Sequence, residues 1–156
     1  MNDPFYDFTV LDEAHRFDFL SIGRTAIHKA IVYKATQIPN VYSLMLADIE
    51  QDGELNVYSI SNNGDMRHIL ATVYKSIVHF LNLRPNAIIA FTGSTSSRTR
   101  LYRSGISIHL NELRKNFHVF GQKNDAPEPE AFMPGNDYEY FVICLKNHNF
   151  EHHLHT

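Results

Sequence analysis

Apolar residues recur at every second position through the first sixty residues and at every third or fourth position afterwards. The change falls at Asn62-Asn63-Gly64. A period of two places alternate side chains on opposite faces of a pleated strand, whereas a three-to-four spacing lines one side of a helix, so the chain is expected to build a sheet first and cover it second. Five strands are expected from the alternation: Phe5 to Val10, Phe17 to Ile22, Ile27 to Lys34, Val41 to Ile49 and Leu55 to Ser61. Gly, Pro, Asn or Asp separates them, and Asp52-Gly53 is a hairpin signal because Gly accepts the positive φ of a tight turn. The run from Ala26 to Thr36 would also suit a short helix. The alternation of Ile27, Lys29, Ile31 and Tyr33 favours a strand.

Beyond the break, Asp65 is placed to cap a helix whose apolar positions are Met66, Ile69, Val73, Ile77 and Phe80, ending before Pro85. Ala87 to Phe91 reads as a continuously apolar strand of a sheet interior. Tyr102, Ile106, Leu110, Leu113 and Phe117 then mark a second helix from about Ser96 to Asn116, with Gly105 inside it at a cost of about 1 kcal/mol that close packing of a neighbour would justify. Val119 and Tyr140 to Lys146 supply further strands. The expected fold class is α+β: a largely antiparallel sheet of seven or eight strands, with an N-terminal five-strand meander, covered by two long amphipathic helices. A length of 156 residues suits a single domain spanning 1–156, with a mobile acidic, proline-containing loop at 124–137 and a His-rich polar tail at 147–156.

Hydrophobic residues make up 44% of the chain and charged residues 20%, and no apolar run approaches the roughly 18 residues that span a bilayer, so no membrane partner is expected. The acidic N-terminus, MNDPFYDF, is unlike a secretory signal, and a cytoplasmic location is expected. The lone Cys144 lies in the apolar run FVICL and is expected to be a buried, inert thiol.

The net charge of −3 does not advertise polyanion binding, but its distribution is uneven. Between Ser96 and Asn116, Arg98, Arg100, Arg103, Arg114 and Lys115 oppose Glu112 alone, while Asp48, Glu50, Asp52 and Glu54 crowd one hairpin. The turn Gly93-Ser94-Thr95-Ser96-Ser97, running into Arg98, Arg100 and Arg103, is the segment best suited to an anion. Small residues bring backbone N–H groups close to a ligand, a helix N-terminus adds positive potential, and guanidinium groups supply forked donors. Ser61, Asn62, Asn63 and Asp65 precede the first helix in the same way and are expected to form a second wall of the same pocket. The arginines could instead pair with Asp48, Glu50 or Glu54.

The turn lacks the GxxxxGK[ST] lysine and GxGxxG spacing. The next strand, HVFGQK, lacks the paired carboxylates that nucleotidyl transfer would need. The acidic hairpin carries Ser59 where a calcium loop needs Glu, and the histidines show no HExxH pattern, so no metal, cofactor or catalytic residue is assigned. The expected function is non-enzymatic binding of nucleic acid or a nucleotide phosphate, with Arg98, Arg100, Arg103 and Lys115 on phosphates and Tyr102 or Tyr58 stacking on a base. The alternatives are an enzyme acting on a small phosphorylated or carboxylated substrate at the same turn, with Asp65 as general base, and an interaction or assembly subunit such as a homodimer.

The motifs SNNGD (61–65), LATVY (70–74) and GST with RTRLYR (93–103) resemble those of a bacterial family of small uncharacterised proteins, some labelled plasmid-related, over Phe17 to Gly121. That resemblance implies no activity. At the level of fold, strands followed by a covering helix look like the single-stranded nucleic-acid-binding modules of the PUR and Whirly kind.

Overall fold

The computed structural model describes residues 3–58 and 63–147. The expected sites at Ser61 and Asn62, the end of the fifth expected strand, and the histidines of the tail from His148 onward lie outside the described residues.

The strands are β1 (Phe8–Leu11), β2 (Arg16–Ile22), β3 (Ala26–Ala35), β4 (Val41–Ile49), β5 (Leu55–Asn56), β6 (Ile88–Phe91), β7 (Phe117–Lys123), β8 (Glu130–Ala131) and β9 (Tyr138–Leu145). The helices are α1 (Met66–Leu83) and α2 (Ser96–Leu113). The strands form one sheet in the order β1-β2-β3-β4-β6-β9-β7-β8, with β5 paired to β4. Among the described residues every pairing is antiparallel except β4 with β6, where Val41 stands opposite Ile88 and Ser43 opposite Ala90. A parallel pair needs a crossover, and α1 supplies it. Ala26–Ala35 is a strand, as its alternation indicated.

Both helices pack on one face. Ile69, Val73, Ile77, Phe80 and Leu81 of α1 are buried with Phe17, Phe19, Ile31, Tyr33, Leu44 and Leu46 of the sheet. Tyr33 stacks on Phe80 with ring centres 4.2 Å apart, and its hydroxyl lies 2.7 Å from Ser76 Oγ. Tyr102, Ile106, Leu110 and Leu113 of α2 meet Phe91, Phe117, Val119 and Ile143. Gly105 lets the helices close on each other, because a Cβ there would stand 2.9 Å from Leu70 Cδ1. The proline-rich segment 124–137 contains β8, and Phe132 within it is fully buried beside Tyr138, their ring centres 5.0 Å apart. The Cys144 thiol is buried, and burial pushes its pKa up to about 11.

Candidate anion-binding site

Since β4 and β6 run parallel, α1, which follows the β4–β5 hairpin, and α2, which follows β6, both begin at the carboxyl end of those strands. Helix N-termini carry the positive end of the macrodipole and N–H groups with no intrahelical acceptor, so two such ends at one edge of a sheet reinforce each other. The carboxyl edge of parallel strands is also where open sheets place ligands.

At the start of α2 the turn is built by internal bonds. The Gly93 N–H donates to Thr99 Oγ1 at 3.1 Å, and a Cβ on Gly93 would lie 2.2 Å from the Thr99 nitrogen, so only glycine fits. Thr95 is the N-cap, its hydroxyl accepting the Arg98 N–H at 3.2 Å. Ser94 Oγ donates to the Val57 carbonyl at 2.5 Å. Three of the expected ligand residues, Gly93, Ser94 and Thr95, therefore hold the turn itself. Ser96 and Ser97 come next, exposed, as the first two residues of the helix.

The arginines divide into three roles. Arg98 turns inward, its Nη1 donating to the carbonyls of Leu46 at 2.6 Å and Val57 at 2.9 Å, and so ties α2 to β4 and to the bend after β5. Arg103 pairs with Asp137 at 2.7 Å, away from the acidic hairpin, and its Nε is buried without a partner. Arg100 is exposed and folds back along the helix until its Nη2 stands 3.5 Å from Ser97 Oγ. Lys115 pairs with Glu112 at 3.2 Å. It lies past the far end of an 18-residue helix, roughly 27 Å from the turn, and cannot share a small ligand with it.

Tyr102 corrects the sequence reading. It is 5% exposed, packed edge-to-face on Phe91 at 5.4 Å, and cannot stack on a base. Burial pushes its hydroxyl pKa up to about 12, against the smaller opposing pull of Arg98. Tyr58 is 70% exposed, one residue beyond the Val57 carbonyl that Ser94 and Arg98 both grip.

The start of α1 is occupied differently. Asp65 stands at the cap position, yet its side chain makes no capping bond. Its Oδ2 accepts from Ser21 Oγ at 2.5 Å and from the Tyr6 hydroxyl at 2.6 Å, and two hydroxyl donors outbid the helix amides. Its Oδ1 is buried without a partner. The Tyr6 hydroxyl is in turn held above its ordinary pKa, by burial first and the Asp65 bond second. Asn63 donates to Ser21 Oγ at 3.0 Å and the Thr25 carbonyl at 2.8 Å, and accepts the Thr25 N–H at 2.9 Å. Asn63 and Asp65 thus fasten the β2–β3 hairpin to α1, at 4% and 8% exposure.

Between the two helix starts lies a pair that the sequence reading missed. Lys29 on β3 and Asp48 on β4 stand opposite each other in register, their charged atoms 2.5 Å apart, 2% and 7% exposed. The signal was available. Lys29 shares the parity of Ile27, Ile31 and Tyr33, and Asp48 that of Leu44 and Leu46, so both had to face the core. Asp48 is thereby committed to a lysine. Within the hairpin, Glu50 accepts from Asn56 Nδ2 at 2.9 Å and Asp52 from the Glu54 N–H at 3.0 Å. Among the described residues no group of three or more His, Cys, Asp or Glu is arranged to hold a metal ion.

A family model described as a family of unknown function (DUF6934) matches residues 2–146, so the chain belongs to that family. No curated protein and no solved structure matches it.

Proposed function

We propose that this member of a family of unknown function is a non-enzymatic binding module for a nucleotide phosphate, carried free or in a single-stranded nucleic acid, and that the ligand sits at the start of α2. The phosphate is received by the N–H groups and hydroxyls of Ser96 and Ser97 and by the Arg100 guanidinium; the base stacks on Tyr58. The observation that carries this reading is the double grip on Val57. By fixing that carbonyl, Ser94 and Arg98 hold an exposed aromatic ring beside a helix start whose first two residues face solvent. The same bonds thus hold both the turn at the helix start and the backbone next to the aromatic ring, with Arg98 acting as a positioning residue.

The burial of Asp65 favours binding over catalysis. A general base has to reach its substrate, and this carboxylate is 8% exposed, with one oxygen already held by the hydroxyls of Ser21 and Tyr6.

Fluorescence anisotropy with a labelled short single-stranded oligonucleotide tests the proposal, with competition by a mononucleotide and by inorganic phosphate. Binding at low salt that weakens as salt rises is expected. Arg100→Ala should weaken every ligand by about tenfold, the loss of roughly one charge-assisted hydrogen bond. Tyr58→Ala should weaken the base-carrying ligands alone, by about 1–3 kcal/mol. An absence of binding at low salt, or affinities that neither substitution alters, would contradict it.

A further inference from the structure

The two edges of the sheet are finished in opposite ways. At one edge, β8 is two residues long, Pro127, Pro129 and Pro134 flank it, and the neighbouring β7–β9 ladder carries a register irregularity at Gln122/Lys123. These are the devices that keep an edge from pairing with another chain. At the other edge, β1 reads Phe-Thr-Val-Leu, without proline or lysine, and among the described residues it pairs only with β2. Thr9, Val10 and Leu11 are exposed, the last two at 39% and 38%. A strand so exposed offers unpaired main-chain groups along one side, which is the template used in strand addition.

The acids at the two ends of β1 indicate what pairs there. Asp7 precedes the strand and Asp12 and Glu13 follow it, all three exposed. Asp12, Glu13 and Ala14 hold φ of 52°, 55° and 67°, an unusual run of left-handed residues that ends the strand abruptly and fixes where those two acids stand. Arg84 steadies this turn by donating to the Glu13 carbonyl at 2.6 Å. In full antiparallel self-pairing, Phe8 would face Leu11 and Thr9 would face Val10 of a second copy, and one step further Asp7 would face Asp12 at both ends. Like charges directly opposite destabilise a strand pair, so a second copy of this chain is the wrong occupant.

We infer that the β1 edge is a docking site for an extended segment of a partner protein, apolar in its middle and basic at both ends, which adds to the sheet as a further antiparallel strand. Main-chain hydrogen bonds supply the affinity and the flanking acids the selectivity. This site lies on the far edge of the sheet from β8 and does not depend on the reading of the α2 turn.

The test uses the full chain and two blocked hexapeptides, Lys-Thr-Val-Thr-Val-Lys and its counterpart with Glu at both ends. Amide hydrogen exchange of residues 8–11 and calorimetric titration are the readouts. The lysine-ended peptide should slow exchange at β1 and bind about tenfold more tightly than the glutamate-ended one at low salt, a preference that fades as salt screens the ends. Asp7→Asn with Asp12→Asn should abolish the preference, and circular dichroism would establish that the variant is folded. Asn accepts the left-handed conformation at position 12, so the turn is preserved. Equal binding of the two peptides, unchanged exchange at β1 with either, or β1 amides protected by self-association without peptide would each overturn the inference.

Discussion

Lys29 and Asp48 show how a single cross-strand pair can be both costly and indispensable. Moving a lysine and an aspartate out of water costs several kcal/mol each, and their mutual attraction at 2.5 Å offsets that cost only while both are present. Lys29→Met alone, or Asp48→Leu alone, should therefore destabilise the protein by about 3–5 kcal/mol in urea unfolding, whereas the double substitution should come within about 1–2 kcal/mol of the parent. Titration gives a second residue-scale prediction. The folded protein keeps the Tyr102 proton until about pH 12, while the unfolded chain releases it near the ordinary value of 10.0. For Cys144 the corresponding values are about 11 and 9.0. In both cases the unfolded state binds fewer protons across the interval, so stability is intact below about pH 9 and falls steadily as pH rises towards 12. Urea midpoints measured from neutral pH to pH 11 should show that decline, and Tyr102→Phe should flatten its upper part. The sequence named the α2 turn because its residue types are informative, but it could not say which hydroxyls and guanidiniums face inward. The inward turn of Arg98 depends on the carbonyls of Leu46 and Val57, which lie 52 and 41 residues away along the chain.

At the scale of elements, α1 and α2 approach each other at Leu70 and Gly105. Gly105→Ala places a methyl 2.9 Å from the mobile end of the Leu70 side chain, which can move aside, and alanine favours the helix by up to about 1 kcal/mol. Its melting temperature should thus stay close to that of the parent. Gly105→Leu has no such escape and should cost about 2–3 kcal/mol by forcing the helices apart. Calorimetric melting of the two variants separates these outcomes. The two helices and most strands could be placed from the sequence, because apolar spacing records which face of an element is buried. The parallel β4–β6 pair could not, since the spacing within a strand says nothing about the direction of its neighbour. Nor could the left-handed turn at Asp12–Ala14: none of its residues is glycine, and its conformation is held by Arg84 from the far end of α1. Phe132 was hidden by the prolines around it, which mark a loop and conceal the one aromatic that anchors it.

Over the whole molecule, both helices lie on one side of the sheet and begin at the same end, so their dipoles point one way in a chain whose net charge is −3. On the proposed reading, attraction for an anion is therefore local to that end rather than a property of the whole surface. The most direct measurement is a nitrogen–proton correlation titration of the full chain with a mononucleotide at low salt. The account predicts that the Ser96 and Ser97 amides move downfield in a saturable way together with the Tyr58 ring protons. The Arg98 amide, already donating to Thr95, should scarcely move. Ser96 and Ser97 resonances that stay fixed while the nucleotide binds elsewhere, or does not bind, would contradict it.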